Sequence, residues 1–359
     1  MTRTARIALV GCVLLTVVVG LAAPASAHGR GTDATNYRST VTDAPAIEGL
    51  RWRVYGGDEL LWVENLTGEE LLVYGYDRNP PDPYLRIGPD GVFENRNSEA
   101  TWLNRERLGA PVPDSVDPDA EPDWVQVSEQ ARFLWHDHRI HYMGVGMHPR
   151  VTDPGERTHI EEWEVPFSLA GEELSIEGEL EWVPGPSPWP WLAIGLALTL
   201  PALVGLRTQP TDGRWPGLVR PAAAVLGAVV VANLVFLVDD LFAVPLPVMT
   251  HVFAALQTLV FLGIAAFGAV RGWQAGDGAF TALGVGAGAL LIGQGLLLWS
   301  VLTASQLSTI FPETLPRLVV GVNVMQALPL GVVAFVGTRR LLPDLEETAA
   351  RDEPAPSAG

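Results

Sequence analysis

Cysteine is almost missing from this chain. The single one, Cys12, falls within the first 27 residues, which read as a secretory signal. The chain beyond residue 27 therefore has no disulfide. Any metal it holds must be bound through nitrogen, oxygen or thioether sulfur. Lysine is absent as well, so all 23 basic residues are arginine. Negative charge is in excess between residues 28 and 188, where 31 Asp and Glu face 13 Arg, a net charge of −18. That balance excludes nucleic acid as a partner, because phosphate binding needs a basic face. No Ser-His-Asp spacing, nucleotide-binding loop or glycosidase-like carboxylate pair stands out, so an enzyme is not expected. Glu161, Glu162 and Glu164 read as the solvated edge of a strand. Methionine is rare: of five, four lie beyond the signal, and Met143 and Met147 are close neighbours.

The signal has a charged start at Arg3 and Arg6, an apolar core from Ile7 to Leu21 and an Ala25-Ser26-Ala27 cleavage site. Leu9-Val10-Gly11-Cys12 loosely matches a lipoprotein box. Only about five apolar residues would precede that cut, where a signal core needs roughly 7–15. Cleavage after Ala27 makes His28 the first residue of the mature protein.

Residues 28–183 are predicted to form an extracytoplasmic all-β sandwich, Ig-like or cupredoxin-like, with 28–49 as an extended arm. Short apolar runs separated by turns carry this expectation: 50–55, 60–64, 71–76, 84–87, 91–93, 124–127, 132–136, 160–167 and 174–183. Residues 109–123, rich in Pro and Asp, read as a long loop, and Ala170-Gly171 as the tip of a last hairpin. A proline-rich hinge at 184–190 follows. The membrane domain, 191–338, has five apolar spans near 189–206, 217–238, 246–270, 279–304 and 315–337. Each approaches the roughly 20 residues needed to cross a bilayer. With the β-domain outside the plasma membrane, Arg207, Arg214, Arg220, Arg271, Arg339 and Arg340 fall inside, as the positive-inside rule requires. The acidic tail, 339–359, is then cytoplasmic.

Seven histidines occur, four of them between His136 and His148. If 132–138 is one strand, His136 and His138 share a face and can grip one ion, while Asp137 and Arg139 face away as a pair. His141 lies just beyond as a further candidate ligand. Met143 and Met147 follow with soft sulfurs that favour Cu(I). His28 adds an α-amine and an imidazole on one residue, the start of a histidine brace, which suits copper. The bland alternative is a loop whose histidines bond carboxylates and carbonyls. In the apolar half, Asp239, Asp240, Met249 and His251 cluster at the outer ends of the second and third spans and are candidates for a membrane relay. Asn233, Gln257, Gln294, Asn323 and Gln326 are polar groups inside spans, read mostly as helix-to-helix glue.

The Ala-His-Gly start, the Trp135-His136-Asp137-His138-Arg139-Ile140-His141 segment and a β-rich domain before the membrane together resemble a family of exported actinobacterial membrane proteins. In layout the chain also resembles fusions of a CopC-type copper-binding domain with a CopD-type membrane domain. The second resemblance implies that His28 is a copper ligand on a β-sandwich, with His136 or His138 beside it. The strand sequences and the number of spans depart from that pattern. The expected function is a membrane-anchored copper-binding protein for copper acquisition, delivery or tolerance. It would exchange the ion with a copper donor or acceptor protein. The alternatives are a metal-free envelope interaction protein and a brace-type copper oxidase.

Overall fold

The computed structural model of the chain describes residues 32–76, 82–208 and 216–351. The signal segment, His28 and the last residues of the acidic tail lie outside the described residues.

The first half is antiparallel β-structure. Its strands are β1 (Tyr37–Asp43), β2 (Leu50–Tyr55), β3 (Leu60–Asn65), β4 (Leu71–Tyr74), β5 (Pro83–Gly88), β6 (Gly91–Asn95), β7 (Trp124–Ser128), β8 (Arg132–Trp135), β9 (Thr158–Leu169) and β10 (Glu172–Trp182). One sheet runs β1-β10-β9-β4-β5-β6-β7 and the other β2-β3-β8. Alternating side chains of both sheets share one core, including Leu61 and Trp135 from the small sheet and Val73, Ile87, Val165 and Phe167 from the large one. A short helix, α1 (Glu99–Leu103), which no apolar pattern announced, interrupts the strands.

Two differences from the sequence expectation matter. The arm at 28–49 contains β1, which pairs with β10 from Tyr37 opposite Trp182 to Asp43 opposite Glu177. Its inward positions, Tyr37, Ser39 and Val41, are weakly apolar, so the alternation was faint. Strand β8 ends at Trp135, so His136 and His138 leave it rather than sharing one of its faces. The β9–β10 hairpin turns at Ala170 and Gly171, with φ of 52° and 82°. Two positive φ values fit the tight turn that matches strand twist, and Ala170 bears them without glycine's freedom.

The second half has five helices long and apolar enough to span a membrane: Trp189–Arg207, Pro216–Phe242, Val248–Gln274, Ala279–Leu296 and Thr314–Arg340. Four of them are interrupted. The first tightens from α2 (Trp189–Thr199) into a 3-10 helix, Leu200–Arg207, where Pro201 offers no N–H. The second divides at Asn233 into α3 (Pro216–Ala232) and α4 (Leu234–Phe242), and Asn233 Nδ2 donates to Val229 O in competition with the backbone. The third is continuous, α5 (Val248–Gln274). In the fourth, α6 (Ala279–Leu290) widens into a π turn at Leu291–Leu296. Beyond it lies α7 (Ser300–Thr303). The last divides at Gln326 into α8 (Thr314–Met325) and α9 (Ala327–Arg351), where Pro329 lacks the N–H that Met325 O would accept. Spans one and five touch backbone to backbone: a Cβ on Gly195 would lie 2.5 Å from Gly321.

The two halves meet through the segment before β1. Thr35 and Gln306 exchange backbone hydrogen bonds of 3.2 and 2.8 Å, and Ser305 N donates to Asn36 Oδ1 at 2.8 Å. The Thr32 and Ser308 hydroxyls are also hydrogen-bonded.

Candidate functional site

The segment after β8 turns tightly because Asp137 organises it. Asp137 is fully buried. Its carboxylate accepts from Trp135 Nε1 at 2.9 Å and from Arg139 Nη2 at 2.6 Å. Burial alone would raise its pKa, but the Arg139 charge and these hydrogen bonds hold it below the usual carboxylate value. Arg139 also donates to Tyr74 O and lies 4.9 Å over the Tyr76 ring. The expected Asp137–Arg139 pair is therefore the keystone of the loop.

Around it lie three histidines, each of which meets a backbone carbonyl. His136 Nδ1 donates to Glu59 O at 3.2 Å, His138 Nε2 to Glu106 O at 3.1 Å and His141 Nε2 to Arg107 O at 2.7 Å. A carbonyl oxygen only accepts, so each of these nitrogens carries the ring proton and the other nitrogen of a neutral ring holds a lone pair. The His138 and His141 rings lie 5.3 Å apart, and His138 stacks on Tyr76 at 5.9 Å. His141 is 1% exposed, and its Nδ1 is buried with no hydrogen-bond partner among the described residues. Burial, reinforced by the Arg107 charge, lowers its pKa to about 4. The ring is therefore neutral at physiological pH, with a bare, buried lone pair.

Three neighbours were not foreseen. Asp58, fully buried, pairs with Arg107 through Oδ2 and Nη2 at 2.9 Å. Burial pushes its carboxyl up against the pull of Arg107. Burial likewise raises Glu59 to about 7. Glu59 Oε2 accepts from Asp33 N at 3.3 Å, which brings the start of the described chain to this cluster. The Gly56-Gly57-Asp58 turn was legible in the sequence as a turn. Arg107 sits in a loop without periodicity, and no spacing tied it to Asp58 or His141.

The other candidate residues are dispersed. Met143 and Met147 are 40% and 46% exposed on the loop that Tyr37 ties down, where Tyr37 OH donates to Gly146 O and accepts from His148 N. At the junction of the two halves, Asp239, Asp240 and His251 line a cavity of about 90 Å3 together with Thr32, Asp33 and Ala34. His251 Nδ1 donates to Asp240 O at 2.7 Å, Thr258 Oγ1 to Asp240 Oδ2 at 2.6 Å, and Ile310 N to Asp239 Oδ1 at 3.0 Å. Met249 lies outside that lining and is 60% exposed. Among the described residues, no three His, Cys, Asp or Glu side chains converge in a group that could hold a metal ion. His28 lies outside them.

The span polar groups form contacts between helices. Asn233 and Asn323 exchange side-chain hydrogen bonds of 2.8 Å, Asn323 Nδ2 also donates to Gln294 O, and Gln326 Nε2 donates to Ala287 O. Arg317, 4% exposed, donates to Val301 O and Ala304 O and pairs with Glu313.

No protein-family model, no curated protein and no solved structure matches this chain.

Proposed function

We propose that the protein is an exported, membrane-anchored copper-binding protein. On this reading its Ig-like or cupredoxin-like β-domain is extracytoplasmic, its C-terminus is cytoplasmic, and it passes copper to or from a partner protein. His28 supplies its amine and imidazole, with His136 and His138 completing the centre. His141, Met143 and Met147 are auxiliary ligands, the two methionines on the exposed loop.

The observation that carries this reading is the His141 Nδ1 lone pair. A buried acceptor with no donor costs about 1–3 kcal/mol, and a metal ion relieves that cost. Histidines with one ring nitrogen fixed by a carbonyl have the supporting hydrogen bond typical of imidazole ligands. Reach supports His28 as a member. Five residues separate it from Asp33, and an extended chain covers at most about 3.3–3.6 Å per residue, roughly 17 Å in all. Asp33 is hydrogen-bonded to Glu59, whose carbonyl holds His136.

The test is Cu(II) titration of the full mature chain in detergent, followed by calorimetry and electron paramagnetic resonance, beside a copy with one extra N-terminal Gly. One equivalent with a nitrogen-rich signal, lost in the extended copy and weakened at least tenfold by His138→Ala, is the expected result. Binding indifferent to the added Gly would remove His28 from the centre.

A second reading is favoured by the same carbonyl contacts. They also describe histidines that simply staple the loops at Glu59, Glu106 and Arg107 in a metal-free interaction domain. On that reading a His136→Ala/His138→Ala protein binds copper as the parent does and still complements a deletion strain.

A further inference from the structure

The β-domain has two ends, and strand pairing decides which one faces the helices. Strand β10 finishes at Trp182, opposite Tyr37 of β1 and Thr158 of β9, and residues 183–188 lead from there into the first span. At that end Thr35 bonds Gln306, and a Cβ on Gly57, in the turn before β3, would lie 3.1 Å from the Gln306 side chain. Strand β8 finishes there too, because Trp135 pairs with Leu61 near the start of β3. The segment 136–157 therefore leaves one strand and enters the next at the end joined to the helices. The turn after β3 lies at the far end, where Glu70 O accepts from Ala170 N of the β9–β10 turn.

Residues 143–147 of that segment read Met-Gly-Val-Gly-Met and have no polar side chain. Val145 at their centre is 89% exposed, and Met143 and Met147 flank it, exposed as well. The base of this tip is tied down. Tyr37 OH bonds Gly146 O and His148 N, and the Tyr142 ring meets those of Tyr37 and His148. Three apolar side chains held out together mark an interaction surface. The charge around them says of what kind. Asp137 and Asp153 bracket residues 138–152, the longest run without a carboxylate between residues 28 and 188. A domain of net charge −18 has thus cleared acid from one place, at the end joined to the membrane helices. Phosphate headgroups repel carboxylates, and a lipid surface takes an apolar tip flanked by neutral and basic groups. Trp189, exposed at the start of the first span, has the place that aromatic rings favour at a bilayer surface.

We propose that the tip at 143–147 rests on the bilayer leaflet that faces the β-domain, with Val145 in contact with lipid. The domain is then held to the membrane at a second point besides the first span. This contact involves no metal and stands or falls apart from the nitrogen-rich centre.

Fluorescence quenching tests the proposal. With Cys12→Ser in place the full chain has no cysteine, so Val145→Cys supplies a single labelling site for an environment-sensitive fluorophore. Met147→Cys gives a second, independent reading of the tip. Leu66→Cys, at a residue 64% exposed in the turn after β3, is the far-end control. Each purified protein is placed at one chain per nanodisc of phosphatidylglycerol and phosphatidylcholine, with its melting temperature matched to the parent. Brominated lipid should quench the labels at 145 and 147 at least twofold more than the label at 66, and aqueous iodide should quench them at least twofold less. Tip labels quenched like the control by both agents overturn the proposal. So do tip labels shielded from iodide yet untouched by brominated lipid, which would place protein rather than lipid over the tip.

Discussion

The two halves of this protein bury polarity in different currencies. In the β-domain, the fully buried carboxylates are held in ion pairs, Asp137 with Arg139 and Asp58 with Arg107, beside buried amides such as Asn65, Asn95 and Asn104. In the helical half the buried groups are neutral amides: Asn233, Asn323 and Gln326, each 0% exposed. The one buried guanidinium among the described residues there, Arg317, sits near the start of the last span, where it meets the final carbonyls of α7. The difference follows the surroundings. A β-domain loop can form its ion pairs from water-exposed segments and close over them. A helix packed within a bilayer has no such reservoir, and charge at its centre is expensive while amide contacts are cheap.

Breaking a β-domain pair should therefore have the largest effect. Asp137→Ala leaves Arg139 buried without its partner and should cost about 3–5 kcal/mol, read from denaturant or thermal unfolding of the detergent-solubilised chain. An effect below about 1 kcal/mol would mean that the pair is not the keystone of the loop.

The pH response of the metal-free protein is next. Glu59, raised from 4.5 to about 7, contributes stability that is complete below pH 4.5 and lost as pH rises through about 7. His141, lowered from 6.5 to about 4, contributes stability that is complete above pH 6.5 and lost as pH falls through about 4. Their slopes oppose each other between pH 4.5 and 6.5, and each is worth on the order of 3 kcal/mol. Glu59→Gln should make stability rise with pH across that window, and His141→Asn should make it fall. Melting temperatures from pH 4.5 to 6.5 check both signs.

The amide contacts should prove weaker. Asn233→Leu and Asn323→Leu should each cost about 1 kcal/mol, and the double-mutant cycle should show a coupling of roughly 0.6–1.7 kcal/mol. A coupling of 3 kcal/mol or more would erase the contrast between the two halves. The smallest expected change is a gain: Ala170→Gly relieves a positive φ at the β9–β10 turn and should stabilise by about 0.5–1 kcal/mol, seen as a small rise in melting temperature.

Much of the architecture was legible without coordinates. Four of the five apolar spans end within a few residues of the helices, because length and hydropathy are local properties, while the fourth was drawn through to 304 past the helix end at Leu296. Strands β2 to β7 appear where apolar runs and turn residues put them. Strand β1 was not legible, since Tyr37, Ser39 and Val41 carry too little apolar contrast. The candidate centre was half legible. Its histidines stood out by spacing, while Asp58, Glu59 and Arg107 did not, because their approach depends on the turn before β3 and on a loop without periodicity.

The sequence by itself determined a disulfide-free acidic β-rich half, five apolar helices and the Asp137–Arg139 pair two residues apart. These depend on composition and on neighbours along the chain. Only the tertiary structure decided that β8 stops short of His136, that His141 is buried neutral with a bare nitrogen, and that Asp33 reaches both the histidine cluster and the cavity of Asp240 and His251. Those facts rest on contacts between residues tens to hundreds of positions apart, where desolvation and packing in three dimensions set each group's partner and charge.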